Sequence, residues 1–221
     1  MFLAWKEIKH SKTRFSLIIG VMVLVSYLVF FLVGLAYGLA QDNRTSIDKW
    51  DADGIILTDE SNTNINMSMM PKGAINEVEA DEAAVIGIAP IVFMIKGTSG
   101  DDAKINTTFF GIESDQFLMP EVIEGKAFEN DDEVVADISL KEEEGIVIGD
   151  TLQLAGSDKE VEVVGFTEDA KFSVAPVLYT TVSSYQDVRF EQIDESEEGR
   201  VSAIVVRGSD GTVEGVDTGN E

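Results

Sequence analysis

The chain has 221 residues, 44% of them hydrophobic and 26% charged, with 41 acidic side chains against 16 basic and a formal net charge of -25. An acidic excess of that size repels phosphate, so nucleic acid is excluded as a partner. The absence of cysteine excludes a disulfide framework, thiol catalysis and thiolate metal sites, and leaves packing as the source of stability.

Residues 1–14 form a basic cytoplasmic segment in which Lys6, Lys9, Lys12 and Arg14 are opposed by Glu7 alone. Trp5 suits an amphipathic stretch lying against the inner leaflet. Phe15 to Ala40 follow without one charged side chain. At about 1.5 Å per residue they reach roughly 39 Å as a helix, enough to cross a hydrocarbon core of about 30 Å with some tilt. Residues 15–40 therefore read as a transmembrane helix with membrane lipid as its partner. The basic flank puts the amino terminus in the cytoplasm and the main domain outside the cell membrane. Gly38-Leu39-Ala40 could be taken as a signal-peptide cleavage site, but the apolar run exceeds the roughly 7–15 residues of a secretory core. Gly34 and Gly38 are spaced to let a second membrane helix approach closely.

Residues 41–207 read as an extracytoplasmic domain of a bacterial kind, with a mixed α+β lobe over 41–122 and a β-rich lobe over 123–207. The first lobe takes a strand at Gly54–Thr58 after a turn at Asp51–Asp53. A short helix follows over Pro71–Ala83, where Ala74, Ile75 and Val78 share one face. Buried strand comes next over Ala84–Ile95, single or divided around Pro90, and then another strand at Lys104–Ile112. The second lobe takes strands at Glu133–Asp137, Thr151–Leu154, Glu160–Phe166, Pro176–Thr181 and Val201–Arg207, with a helix at Ile138–Gly145 that stops at glycine. Residues 208–221, rich in glycine and acid, read as a disordered tail or linker. The fold class is α+β behind one membrane helix.

Few residues here suggest chemistry. His10, the one histidine, falls on the cytoplasmic side, so an outward iron site would need methionine, tyrosine or a carboxylate. Met67, Met69 and Met70 are the cluster that could contact such a cofactor or substrate, but flexible packing or a mobile apolar loop is the simpler reading. Asp51, Asp53, Gly54 and Glu60 match part of a calcium loop, but Lys49 would take its first position. Asn130–Glu133 reads as a solvated acidic turn. With no extracellular histidine and no Gly-x-Ser-x-Gly elbow to activate a nucleophile, the chain reads as a non-enzyme with no catalytic residue, no metal and no cofactor.

Four motifs in order carry a resemblance: Glu124-Gly125-Lys-Ala-Phe128, Glu133-Val-Val-Ala-Asp137, Ile148-Gly149-Asp150-Thr-Leu152 and Val161-Glu-Val-Val-Gly165-Phe166. With the membrane helix before them they resemble the extracytoplasmic core domain of MacB/FtsX-type ABC transporter permeases. Leu3-Ala-Trp-Lys-Glu-Ile8 is similar to the DevC/HrtB branch, which includes haem-efflux permeases. The resemblance implies that Gly125, Gly149, Asp150 and Gly165 shape turns or bulges of this core and that Asp137 closes its strand. It also implies a permease homodimer working with a cytoplasmic ABC ATPase, for the chain has no phosphate-binding Gly-x-x-x-x-Gly-Lys-Ser/Thr of its own. The expected function is export of an amphipathic substrate, with haem a candidate. The family's further membrane helices are not in this sequence, which therefore reads as a truncated permease. The alternative is a single-pass ectodomain acting as a protein-interaction module of the cell envelope.

Overall fold

A computed structural model describes residues 12–42, 45–97 and 104–208. Two compact units result, Met1–Asp42 and Asn43–Glu221. The first contains helix α1, Lys12–Asp42, of 31 residues. Among the described residues it is the one helix long and apolar enough to cross a membrane. Its large apolar side chains, Leu17 to Leu39, are exposed. A helix that is apolar all round has no polar face to turn to water, and lipid is the solvent that fits it. Residues 1–11 of the basic segment lie outside the described residues.

The second unit begins with a short helix α2, Thr45–Asp48, and is then dominated by a ten-stranded sheet. Its strands are β1 (Gly54–Ile56), β3 (Glu82–Ile95), β4 (Lys104–Ile112), β5 (Glu124–Gly125), β6 (Glu133–Asp137), β7 (Thr151–Leu154), β8 (Glu160–Thr167), β9 (Lys171–Phe172), β10 (Ala175–Thr181) and β12 (Ala203–Arg207). A separate two-stranded ribbon pairs β2, Met70–Pro71, with β11, Arg200–Val201. Helix α3, Ser139–Glu144, ends at left-handed Gly145 as expected.

Strand pairing closes part of the sheet on itself. Following hydrogen-bonded neighbours, β3 joins β4, β4 joins β10, β10 joins β6, β6 joins β8, β8 joins β7, and β7 returns to β3. Inside this ring lie Phe93, Phe109, Val134, Leu152, Val163 and Leu178, one from each strand. Alternate residues of the same strands, Ile88, Phe110, Val135, Val164 and Tyr179, turn the other way into a second core. There Phe110 meets Trp50, Phe172 and Tyr179 at centroid distances of 5.8, 5.6 and 5.5 Å. The ring draws strands from both 41–122 and 123–207, so the two lobes read from the sequence share one sheet.

Three elements differ from expectation. The helix expected over Pro71–Ala83 is a 3-10 turn, Lys72–Glu77, which stops at Val78, whose backbone is extended and whose N–H returns to the Ile75 carbonyl; its first N–H groups, those of Lys72 and Gly73, are taken by the carbonyls of Gly199 and Glu197. The strand expected over Val201–Arg207 breaks at Ser202, whose hydroxyl accepts from Ile88 N–H, leaving β11 and β12 in different sheets. A helix α4, Val182–Phe190, was not foreseen after β10; the Thr181 side chain caps it by accepting from Ser184 N–H. Its ring Tyr185 packs onto Gly87 and Gly111 of β3 and β4, where no Cβ keeps it out.

Pro90 sits within the undivided β3, and its position explains why it is tolerated. β12 pairs with β3 only as far as Ile86, and β7 begins at Phe93. Ile88 N–H points to that open edge, and two residues further on Pro90 turns its missing donor the same way, where no strand needs it.

Candidate functional site

The three methionines do not form one cluster. Met70 is 2% exposed and belongs to the core beneath β12, whereas Met67 and Met69 are 69% and 41% exposed. Met69 and Met70 line the wall of a cleft of about 670 Å³, with Glu60, Asp194, Glu198 and Arg200 as its charged residues. Gln186 of α4 ties the far wall together: its amide oxygen accepts from Asp194 N–H at 2.8 Å, and its amide nitrogen donates to the Arg200 carbonyl. The Ser196 hydroxyl and N–H both donate to Asp194 and hold its carboxyl below the usual range. The Arg200 guanidinium lies 5.6 Å from the Phe190 ring centroid. Three carboxylates against one guanidinium make the cleft net acidic, open to cationic or neutral ligands and unfavourable to a dicarboxylate such as a porphyrin.

The four family motifs meet along one edge. β5 pairs with the end of β8, placing Gly125 opposite Gly165. Gly125 has φ of 81°, and a Cβ there would lie 2.8 Å from Gly165 Cα. At Gly165 a Cβ would lie 2.5 Å from the Lys126 carbonyl oxygen, so neither position admits a side chain. The register of β6 on β8 shifts just before Gly165, which is the bulge its sequence suggested. Asp137 is buried, and its two carboxylate oxygens accept from Ser139 N–H at 2.9 Å and Ala170 N–H at 2.7 Å. Asp150 accepts from Val147 N–H at 2.8 Å and closes the turn through Gly149. These residues shape backbone.

Elsewhere sequence patterns dissolve or change meaning. Glu133, read as part of a solvated acidic turn, is buried and accepts from Lys126 Nζ and from the N–H groups of Glu129 and Asn130. The non-enzyme reading took the sequence to have no Ser-x-x-Lys spacing of the serine acyl-enzymes, yet Ser46-Ile-Asp-Lys49 has it. Here Ser46 donates to the Lys171 carbonyl and Lys49 to the Glu168 carbonyl. Gly34 and Gly38 lie on α1 with open space around them.

A spanning-length apolar helix followed by a sheet-rich α+β domain defines the class of protein. Its sequence relatives are named hemin transport system permease proteins, HrtB. The protein of that name from Staphylococcus haemolyticus is 23% identical over 191 residues, 85% of this chain and 52% of its own. The one from Staphylococcus epidermidis is 27% identical over 180 residues, 80% and 49%. The chain thus spans about half the length of the curated relatives it matches. No family model matches it. Among solved structures, the periplasmic region of MacB from Actinobacillus actinomycetemcomitans aligns with a TM-score of 0.49 at 15% identity, covering 71% of this chain and 73% of that one. The extracellular domain of the ABC-type transporter YknZ from Gram-positive bacteria aligns with a TM-score of 0.46 at 13% identity, covering 70% and 81%. The chain resembles the MacB/FtsX-type ABC permeases, as its motifs led us to expect.

Proposed function

We propose that the chain is the amino-terminal part of an ABC-type efflux permease, with α1 in the cell membrane and residues 41–207 outside it. The observation that carries this reading is the sequence kinship to proteins named hemin transport permeases, over 85% and 80% of this chain. In this reading a cytoplasmic ATPase partner hydrolyses ATP, two permeases associate through α1 with Gly34 and Gly38 at the contact, and the outer domain passes the resulting motion to an amphipathic substrate, haem in the first instance. The chain itself catalyses nothing. The ring supports a relay role, since six strands each hydrogen-bonded to the next move together more readily than two separate lobes would.

The test is purification of the tagged full chain from membranes of its own host, with mass spectrometry of what accompanies it. A co-purifying ATPase with a phosphate-binding loop, and loss of haem tolerance when the gene is deleted, are expected. Neither ATPase nor altered tolerance would overturn the reading.

A further inference from the structure

Residues 43–53 join α1 to β1 in the sequence, and their composition is that of a tether, with Thr45, Ser46, Asp48, Lys49, Asp51 and Asp53 all polar. The helix among them, α2, has four residues, against the roughly 12–15 that an isolated helix needs to hold itself together in water. A free tether of this kind would let α1 shift without disturbing the outer domain.

The described part of it, 45–53, is instead fixed at both ends. At its start, Lys171 N–H donates to Thr45 Oγ1 at 3.0 Å, and the wholly buried Ser46 donates through Oγ to the Lys171 carbonyl at 3.0 Å. Lys49 Nζ donates to the Glu168 carbonyl. Lys171 belongs to β9, which pairs with β10. At its end, Arg207 of β12 donates to the Trp50 carbonyl from Nε at 2.8 Å and again from Nη2. The same guanidinium reaches Glu82 of β3 at 3.3 Å and lies 4.1 Å from the Phe117 ring centroid. Asp53 N–H donates to the Val206 carbonyl at 2.9 Å, and the Asp53 carboxylate accepts from Gly208 N–H. Between the two anchors Trp50, 2% exposed, packs against Phe110 of β4.

These attachments reach three consecutive strands of the ring: β10 through β9, β4 through Trp50, and β3 through β12. Packed side chains and hydrogen bonds in an unbroken series are what carries displacement through a protein. Arg207 holds most of them together, because a planar guanidinium can donate twice to one carbonyl while it pairs with a carboxylate and stacks on a ring, a geometry that an ammonium point charge does not reproduce. We propose that residues 45–53 are the coupling segment through which movement of α1 reaches the ring, and that Arg207 is the residue that positions it. This role rests on the relay reading above and fixes where motion enters the outer domain.

Hydrogen exchange of the detergent-solubilised full chain, read by mass spectrometry, tests the stiffness of the junction. Peptides over 45–53 are expected to exchange at least tenfold more slowly than a free peptide of the same sequence. Arg207→Gln should accelerate them at least tenfold while peptides of β4 and β10 stay unchanged, and Thr45→Val with Ser46→Ala should do the same from the other anchor. Free-peptide exchange in the wild type, or no acceleration by either variant, would overturn the junction. Coupling is read in the host: at equal amounts of chain in the membrane, Arg207→Gln should lower the tolerated haemin concentration at least fourfold, with Arg207→Lys in between. A loosened junction with wild-type tolerance would overturn the coupling role and leave the export reading standing. If deletion of the whole gene leaves tolerance unchanged, the export reading falls and takes the coupling role with it, while the stiff junction still stands or falls on the exchange rates.

Discussion

Glu133 illustrates how one buried carboxylate organises its surroundings. The hydrogen bond from Lys126 is the largest influence on it, the N–H groups of Glu129 and Asn130 add to it, and burial opposes them; its pKa is held below the usual 4.5. A group whose pKa is depressed on folding contributes stability that is complete above its unfolded value and is lost as pH falls through the folded one. The stability gap between wild type and Glu133→Gln should therefore be widest near pH 7 and shrink below about pH 4.5, as urea titrations at several pH values would reveal. A gap independent of pH would mean that the side chain acts through shape alone. Tyr179 shows the opposite balance: burial pushes its phenol well above the usual range and the Asp137 carboxylate adds to the effect, so it stays neutral and serves as an aromatic partner of Phe110.

At the scale of elements, α4 is docked by shape. The Tyr185 ring fills the space that side chains at Gly87 and Gly111 would take, so Gly87→Ala must displace the ring. We expect a loss of about 1–3 kcal/mol, measured by denaturant unfolding, as for other overpacked cores. Helix α1 gives the contrasting case. Nothing lies within 4 Å of a Cβ at Gly34 or Gly38, so replacing both with leucine should leave the outer domain's stability unchanged and weaken chain–chain crosslinking in membranes if the helix pairs through them. Unchanged crosslinking would leave them as ordinary membrane residues. The sequence held a signal for α4 that a strand-minded reading missed: Thr181 as N-cap, then Val182, Tyr185 and Val188 three residues apart. The 71–83 segment failed the other way, since its helical spacing was real but the chain turns extended at Val78 after six residues.

For the whole molecule, the closed ring means that residues 41–122 and 123–207 cannot come apart without breaking the pairings of β4 with β10 and of β3 with β7. Calorimetry of the outer domain should accordingly record one unfolding transition with equal calorimetric and van't Hoff enthalpies, and two separate transitions would restore the picture of two lobes. Much of this protein was legible in the sequence because the physics involved is local. An uncharged run long enough to span a bilayer and alternating strands bounded by Gly-Asp turns each depend on neighbours a few residues away. Ring closure, the division of the methionines between core and surface, and the burial of Glu133 were decided only by tertiary structure. Each joins residues distant in the chain, and pairing across such distances is set by sheet topology and the space left between packed elements, which no local pattern encodes.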